Sequence, residues 1–212
     1  MKEEYILSEL VGRYPALESC KDDVREASLK IIDCYLKGGK LLVCGNGGSC
    51  SDADHIVSEL MKSFEKKRPV DKALQDSLAS VSGERGNWIA DRLQNALPAI
   101  SLNAHTALYS AISNDIDASL VFAQQVVGYG QADDVLFAIS TSGNSGNVID
   151  AAITARAKGL LVIGLTGESG GRMKEYCDVV ITVPSSNTPE VQEFHLPVYH
   201  TICRIIEERF FQ

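Results

Sequence analysis

The chain has 212 residues, 45% of them hydrophobic and 23% charged, a composition that excludes general disorder and is typical of a single globular domain. Its net charge of −8 argues against a nucleic-acid-binding surface, which needs basic residues to neutralise phosphates. No apolar run reaches membrane-spanning length, and the N-terminus MKEEYILSEL is acidic where a signal peptide would be basic, so we expect a cytoplasmic protein without a membrane partner.

In chain order, apolar residues at helical spacing over 4–37 end at Gly38-Gly39 and predict an N-terminal helical arm, residues 1–38. Short apolar runs predict buried strands at 41–45, 99–102, 135–140, 160–166 and 179–183. Helical patterns are present at 49–65, 106–113, 117–129, 145–158 and 189–210. Strands that alternate with helices predict an α/β three-layer sandwich, a five-stranded parallel sheet flanked by helices. Ligands of such sheets bind at the carboxyl ends of the strands.

Two polar turns lie at predicted strand ends. The turn Gly45-Asn46-Gly47-Gly48-Ser49 is neither a dinucleotide fingerprint, because Cys50 takes the place of the third glycine, nor a P-loop, because no Gly-Lys-Ser/Thr follows. The turn Ser140 to Ser145 has four hydroxyls in six residues and precedes a helix, which suits the acceptor oxygens of a phosphate ester. Each turn taken alone is also compatible with an ordinary helix cap.

Two polar pairs are placed on predicted helices. His55 and Glu59 are four residues apart and share one helix face, and Gln192 and His200 lie broadly on one side of the last helix. Exposed surface pairs are the alternative in both cases. Pro197 between the second pair removes a helical hydrogen bond, and a bend at this position would aim His200.

Taken together, these motifs resemble the sugar isomerase (SIS) phosphosugar-binding fold, with its flavodoxin-like sheet. Their order is similar to that of the phosphoheptose isomerases, which convert sedoheptulose 7-phosphate to glycero-manno-heptose 7-phosphate. The resemblance covers nearly the whole chain and rests on six motifs: GNGGS, D-A-x-H-x-x-x-E, Asn114-Asp115, STSGNS, LTG at 165–167 and Q-E-x-H-x-x-x-x-H at 192–200. It implies one SIS domain over 1–212, a homotetramer with active sites at subunit interfaces, and no nucleotide cofactor.

The resemblance also implies roles for individual residues. It places Ser49, Ser140, Ser142 and Ser145 on the phosphate, with Thr141 beside them and Asn46 close to the sugar. Gly47, His105, Asn114, Asp115 and Gln192 complete the implied substrate-binding set. His55, Glu59, Gln192 and His200 match the positions that bind zinc or act as acid and base in that family.

The chemistry of these side chains agrees with an aldose–ketose isomerase. Such a reaction takes a proton from carbon, stabilises an enediolate and returns protons to oxygen and carbon. Glu59 is the natural base and His200 the natural acid. The same residues with His55 and Gln192 would form a mixed nitrogen and oxygen site suited to zinc, although Gln is an uncommon zinc ligand.

Two departures from the family pattern leave the substrate open. His105 stands where the family usually carries an acidic residue, and residues 72–97 form a helical insertion that holds Trp88. The insertion is interpreted either as an extra packing helix pair or as a lid or interface element. The alternatives to a heptose isomerase are an isomerase of another phosphosugar and a non-enzymatic phosphosugar-binding regulatory module.

Overall fold

The computed structural model describes residues 2–211, and its centre is a five-stranded sheet. The strands run in the spatial order β2-β1-β3-β4-β5, and all neighbours are parallel. The predicted α/β architecture is therefore confirmed. The strand bounds are β1 Leu41–Gly45, β2 Ala99–Ser101, β3 Val135–Ile139, β4 Leu161–Thr166 and β5 Val179–Thr182.

Helices cover both faces of this sheet, which explains why its central strands are continuous apolar runs. Alternate residues of β1 and β3 point to opposite faces. Leu41 and Phe137 belong to a core with α1, α2 and α8, while Leu42 and Leu136 belong to a second core with α6 and α7. The helix bounds are α1 Lys2–Arg13, α2 Lys21–Leu36, α3 Gly48–Met61, α4 Lys72–Ala90, α5 Thr106–Ile112, α6 Val121–Tyr129, α7 Gly146–Ala157 and α8 Thr188–Phe210.

The predicted N-terminal helical arm consists of two α-helices, α1 and α2, with a short 3-10 helix between them. The pattern is interrupted at Pro15, which begins a short 3-10 helix, Pro15–Cys20, because proline cannot continue the hydrogen-bond ladder of α1. The apolar spacing carried no sign of this break, since Leu17 and Cys20 are buried like the helical residues around them. The arm packs its apolar side against α8, so it forms part of the main core.

The insertion predicted over 72–97 is helical only as far as Ala90. Its helix α4 is broken at Ser82 and Gly83, and Gly83 has a φ of +39°. The two halves fold closely onto each other, because a Cβ on Gly86 would lie 1.8 Å from the Leu78 carbonyl oxygen. At the base of the insertion an isolated antiparallel bridge joins Pro69 to Gln94.

The chain order of the strands determines where a ligand can bind. From β1 the chain moves outward to β2, and it then returns to the other side of β1 as β3. The loops that leave β1 and β3 therefore diverge and open a crevice at their carboxyl ends. The two polar turns of the sequence, Gly45–Ser49 and Ser140–Ser145, both lie at this crevice. No helix formed by residues 2–211 is long and apolar enough to cross a membrane.

Candidate active site

The two turns of the crevice are joined by a pair of side-chain amides. Asn46 Nδ2 donates to Asn147 Oδ1 at 2.8 Å, and Asn147 Nδ2 donates back to Asn46 Oδ1 at 3.0 Å. Gly47 has a φ of +58°, a conformation that glycine adopts readily, and α3 begins directly after it. The reciprocal bonds fix the turn after β1 against the first turn of α7.

The turn after β3 presents its hydroxyls to the same crevice. Ser140 Oγ lies 3.0 Å from Ser145 Oγ, and Ser140 and Ser49 are each only 3% exposed. Gly143 has a φ of +64°, and a Cβ there would lie 2.2 Å from the Gly170 carbonyl oxygen. This tight approach holds the turn in place, while the N-terminus of α7, which starts at Gly146, supplies unpaired main-chain N–H groups beside the hydroxyls. A phosphate ester is the ligand that such a cradle suits.

A polar cluster formed by α3 and α8 lies beside these turns. His55 Nε2 is 3.1 Å from Glu59 Oε1 and 3.5 Å from His200 Nε2. The His55 and His200 rings meet edge to face, with centroids 4.9 Å apart. Glu59 is buried and His55 is partly exposed, so the histidine is the more accessible of the two side chains. The two helices bring three of the predicted catalytic or metal-ligating side chains together.

Neighbouring groups fix the protonation and orientation of this cluster. Lys62 Nζ donates to Glu59 Oε2 at 2.8 Å, which leaves Oε1 facing His55. Burial lowers the pKa of His200, and the adjacent His55 lowers it further. The imidazolium form of His200 therefore gives up its proton more readily than that of an exposed histidine.

Beneath the cluster, a buried ion pair holds the end of α3. Arg68 and Glu207 are each 1% exposed, and Arg68 Nε donates to Glu207 Oε1 at 2.8 Å. The other guanidinium nitrogens donate to the carbonyl oxygens of Leu60 at 2.8 Å and Glu59 at 3.0 Å. Glu207 also accepts from the main-chain N–H groups of residues 64–66. The pair therefore ties the backbone of Glu59 to α8, the helix that carries His200.

Gln192 enters the site nearer to the phosphate cradle. A Cβ on Gly48 would lie 2.4 Å from Gln192 Nε2, so the amide packs against the first residue of α3. Gly48 precedes His55 by seven residues, or about 10 Å along the helix axis. Gln192 thus lies at the glycine turn after β1, and no hydrogen bond among residues 2–211 joins its side chain to the polar cluster. His195, one turn further along α8, is fully buried and does not face the crevice.

The donor types of the cluster fit zinc, which accepts imidazole nitrogen and carboxylate or amide oxygen. The two distances from His55 Nε2, 3.1 and 3.5 Å, are close to the roughly 3.4 Å that separates neighbouring ligand atoms around a tetrahedral zinc with bonds of about 2.1 Å. Among residues 2–211, however, no group of three or more His, Cys, Asp or Glu side chains is arranged to hold a metal ion. The cluster is here a hydrogen-bonded one, with a donor set that zinc could use.

Three predicted substrate-binding residues lie on the β2 side of the crevice. His105 precedes α5, is exposed and stacks on Tyr129, with centroids 6.2 Å apart. Asn114 Nδ2 donates to Asp115 Oδ1 at 2.7 Å within an exposed π-helical turn. Within residues 2–211, no hydrogen bond or ion pair connects these three residues to either polar turn or to the His55 cluster. Their predicted contact with a sugar stays a prediction.

Two cavities border the site. A cleft of about 330 Å³ lies against Asn46 and Gly47 on the β2 side, and Tyr109 lines its far wall. A second cavity of about 460 Å³ is formed by the end of α1, the loop after α3 and α8, with His200 in its wall. Space for a small polar ligand is therefore available beside the turn after β1 and, separately, beside His200.

Four side chains of the site were not singled out from the sequence. Asn147 can be identified only when β1 and β3 are known to be adjacent, because its partner Asn46 is 101 positions away in the sequence. Lys62 is three residues after Glu59, Asp52 is three before His55, and Tyr199 directly precedes His200. The helical i, i+3 spacing was therefore a usable signal for Lys62 and Asp52.

The site and sheet are those of a SIS-domain protein, and the sequence model of the SIS domain matches residues 13–94 and 83–167. A phosphoheptose isomerase of Nitratiruptor sp. is 39% identical over 211 residues, which are 98% of this chain and 99% of the relative. The chain belongs to the phosphoheptose isomerase family. A solved phosphoheptose isomerase from Francisella tularensis has 32% identity and a TM-score of 0.76, covering 97% of this chain and 95% of its own. One from Neisseria gonorrhoeae has 30% identity and a TM-score of 0.73, covering 98% of this chain and 100% of its own.

Proposed function

We propose that this chain is an aldose–ketose isomerase that converts sedoheptulose 7-phosphate to D-glycero-D-manno-heptose 7-phosphate. The observation that carries the proposal is the cluster of Glu59 Oε1 and His200 Nε2 around His55 Nε2, next to a hydroxyl-lined anion cradle. Membership of the phosphoheptose isomerase family supports the choice of sugar.

The phosphate end of the sugar would be bound by the cradle. The hydroxyls of Ser49, Ser140, Ser142 and Ser145, with Thr141, offer hydrogen-bond donors, and the N-terminus of α7 favours a negative charge. Asn46 and Gly47 would contact the sugar chain as it leaves the cradle, and Gln192 would contact it beside Gly48. Binding the non-reacting phosphate end places the carbonyl end of the sugar at the side chains that react.

Proton transfer would be carried by Glu59 and His200. The substrate ketose has its carbonyl at C2. Glu59 takes a proton from C1, and the electron pair of that C–H bond forms the C1–C2 double bond of an enediolate. His200 gives a proton to the carbonyl oxygen at C2 and takes one back from the hydroxyl at C1, and Glu59 returns its proton to C2 to give the aldose. Lys62, by holding Oε2, keeps Oε1 available for both transfers.

A zinc ion, a homotetramer and a cytoplasmic location are further parts of the proposal. Zinc would be held by His55, Glu59, Gln192 and His200, and it would polarise a carbonyl oxygen as a Lewis acid. The donor types support this assignment, and the two His55 distances support the places of His55, Glu59 and His200 in it. The cavity formed partly by the end of α1 supports a site at which a second subunit completes the wall. Light scattering of the purified protein measures the assembly, and metal analysis measures zinc.

The proposal is tested by incubating the protein with sedoheptulose 7-phosphate in deuterated buffer and following aldose formation and deuterium uptake by NMR. Each assay is run with added zinc and with chelator. Glu59→Gln and His200→Ala are expected to lose turnover, whereas the control Glu193→Gln, on the exposed side of α8, is expected to keep it.

A wild-type protein that turns over only another ketose phosphate would refute the choice of sugar. A protein that binds phosphosugars but turns over none of a panel would be a binding module and not an isomerase. Full activity of Glu59→Gln would refute the role of the carboxylate as the base.

A further inference from the structure

The two asparagines that join the turns of the crevice leave half of their bonding capacity unused. A side-chain amide has two N–H donors and two oxygen lone pairs. The reciprocal bonds of the amide pair, Asn46 and Asn147, use one donor and one lone pair of each side chain. Neither side chain makes another hydrogen bond among residues 2–211. One N–H and one lone pair therefore remain free on each amide.

The free groups of the amide pair lie side by side. Each bond of the pair joins the nitrogen of one amide to the oxygen of the other, at 2.8 and 3.0 Å. Beside each bond, the second N–H of that nitrogen and the second lone pair of that oxygen point away from the pair. Each edge of the pair is thus one donor and one acceptor at that spacing, which is close to the distance between the two oxygens of a vicinal diol.

The amide pair borders the phosphate cradle from both turns. Asn46 precedes Ser49 by three residues, and Ser49 N donates to the Asn46 carbonyl oxygen at 3.0 Å. Asn147 follows Ser145, the N-cap residue of α7, by two residues. Asn46 is exposed and Asn147 is partly exposed, so a ligand can reach the pair from solvent. A sugar whose phosphate is bound in the cradle is therefore expected to carry its hydroxyls past this pair.

We propose that Asn147 is a specificity-determining residue, which acts with Asn46 to bind a vicinal diol of the substrate sugar. One hydroxyl of the diol accepts from the free N–H of one amide, and the neighbouring hydroxyl donates to the free lone pair of the other. Both amides are uncharged, so this contact selects for sugar hydroxyls and not for phosphate. The inference rests on the proposed function for the identity of the sugar.

The test compares the binding of three phosphate compounds by calorimetry. The heptitol 7-phosphate obtained by reducing sedoheptulose 7-phosphate has the hydroxyls but no carbonyl, so it binds without being turned over. n-Butyl phosphate has a carbon chain without hydroxyls, and inorganic phosphate has neither. We expect the wild type to bind the heptitol phosphate most tightly, because the other two compounds have no diol for the amide pair.

Asn147→Ala removes one amide of the pair. The affinity for the heptitol phosphate should fall by about 5–20-fold, and the affinities for butyl phosphate and inorganic phosphate by less than about twofold. Asn46→Ala should give the same selective loss. The double variant should lose little more than either single variant, because the diol needs both amides. The control Asn87→Ala, which removes an exposed asparagine of α4, should bind all three compounds like the wild type.

Two results in the variants would overturn the inference. Equal weakening of all three compounds would mean that the amide pair only holds the cradle in shape. Unchanged binding of the heptitol phosphate would mean that the pair does not contact the sugar. A wild type that binds the heptitol phosphate no more tightly than butyl phosphate would also overturn it.

Circular dichroism checks the fold of each variant, and either single variant suffices for the comparison. The isomerase assay is separate from these binding measurements. A wild type without turnover that still shows the selective loss in Asn147→Ala would refute the proposed function and leave this inference standing.

Discussion

The Arg68–Glu207 pair gives the sharpest prediction about stability. Both side chains are almost fully inaccessible to solvent. Arg68 donates to Glu207 and to the carbonyl oxygens of residues 59 and 60, and Glu207 accepts from the main-chain N–H groups of residues 64–66. Glu207→Gln keeps the shape of the side chain but leaves the Arg68 cation without a counter-charge. Removing one partner of a buried pair costs about 3–5 kcal/mol, because the remaining charge stays desolvated. For a chain of this length the loss corresponds to a fall in Tm of about 6–20 °C.

The assay is equilibrium unfolding in urea at a fixed protein concentration, followed by circular dichroism. The matched control is Asp76→Asn in the Lys72–Asp76 pair on α4, whose side chains are 79% and 63% exposed. An exposed i, i+4 pair contributes about 0.3–0.5 kcal/mol, so this variant should unfold almost like the wild type. A loss below about 1 kcal/mol in Glu207→Gln would refute the reasoning, because it would mean that the buried cation is stabilised without its partner.

The pH dependence of the same variant adds a second test. Burial alone would raise the pKa of Glu207, but the main-chain N–H groups of Phe64 and Glu65 and the Arg68 guanidinium outweigh it and lower the pKa. A lowered carboxyl pKa contributes stability above the unfolded pKa of about 4.3, and this contribution is lost as the pH falls through the folded value. The difference in free energy of unfolding between wild type and Glu207→Gln should therefore become smaller as the pH falls. A difference that stays constant with pH would contradict the assignment.

Three further predictions concern the site and its surroundings. Gly48→Ala should displace the Gln192 amide, because Nε2 of that amide lies 2.4 Å from the added Cβ. We expect kcat/KM to fall by about tenfold or more while the urea midpoint of unfolding stays the same. Unchanged kinetics would show that Gln192 takes no part in turnover. His195 stays neutral in the fold because burial lowers its pKa to about 4, whereas in the unfolded chain it binds a proton near pH 6.5. The free energy of unfolding should therefore fall by about 3 kcal/mol as the pH is lowered from about 6.5 to about 4. Urea unfolding of His195→Leu should lack this pH slope, and a slope of equal size in both proteins would contradict the assignment. Ser145→Ala should raise KM and weaken competition by inorganic phosphate by about 10-fold or more while changing kcat less, and a change confined to kcat would exclude a phosphate contact.

The sheet could be predicted closely because its strands are buried on both faces and read as separate apolar runs. The predicted β1 agrees with the observed Leu41–Gly45 at both ends, and the other strands differ by one residue at one end. The break in the helical arm was harder to predict from the sequence, because burial on one side continues through Pro15 while the backbone changes to a 3-10 helix. Hydrophobic spacing indicates which residues are buried, and it gives only indirect information about the backbone hydrogen bonds that distinguish an α-helix from a 3-10 helix.

The site was predictable where its residues are neighbours in sequence, as His55 and Glu59 are. Its long-range contacts were not predictable, because Asn46–Asn147 depends on the order of the strands, and Arg68–Glu207 joins residues 139 positions apart. The His55–Tyr199 contact similarly depends on the angle at which α8 crosses α3. Side-chain spacing within one helix carries no information about that crossing.

The bridge between Pro69 and Gln94 brings the two ends of the insertion together, so the segment between them can vary without changing the rest of the fold. The chain leaves the fold at Pro69 and rejoins it beside the same residue, and Asn95 N donates to the Arg68 carbonyl oxygen at 2.6 Å. Further on, Leu97 N donates to the Leu60 carbonyl oxygen at 3.0 Å, so both stems are anchored to the end of α3. The entropy of closing a loop rises only slowly with its length, and here the two ends already meet. A segment of different length or sequence can therefore be inserted between the stems while α3 keeps its place.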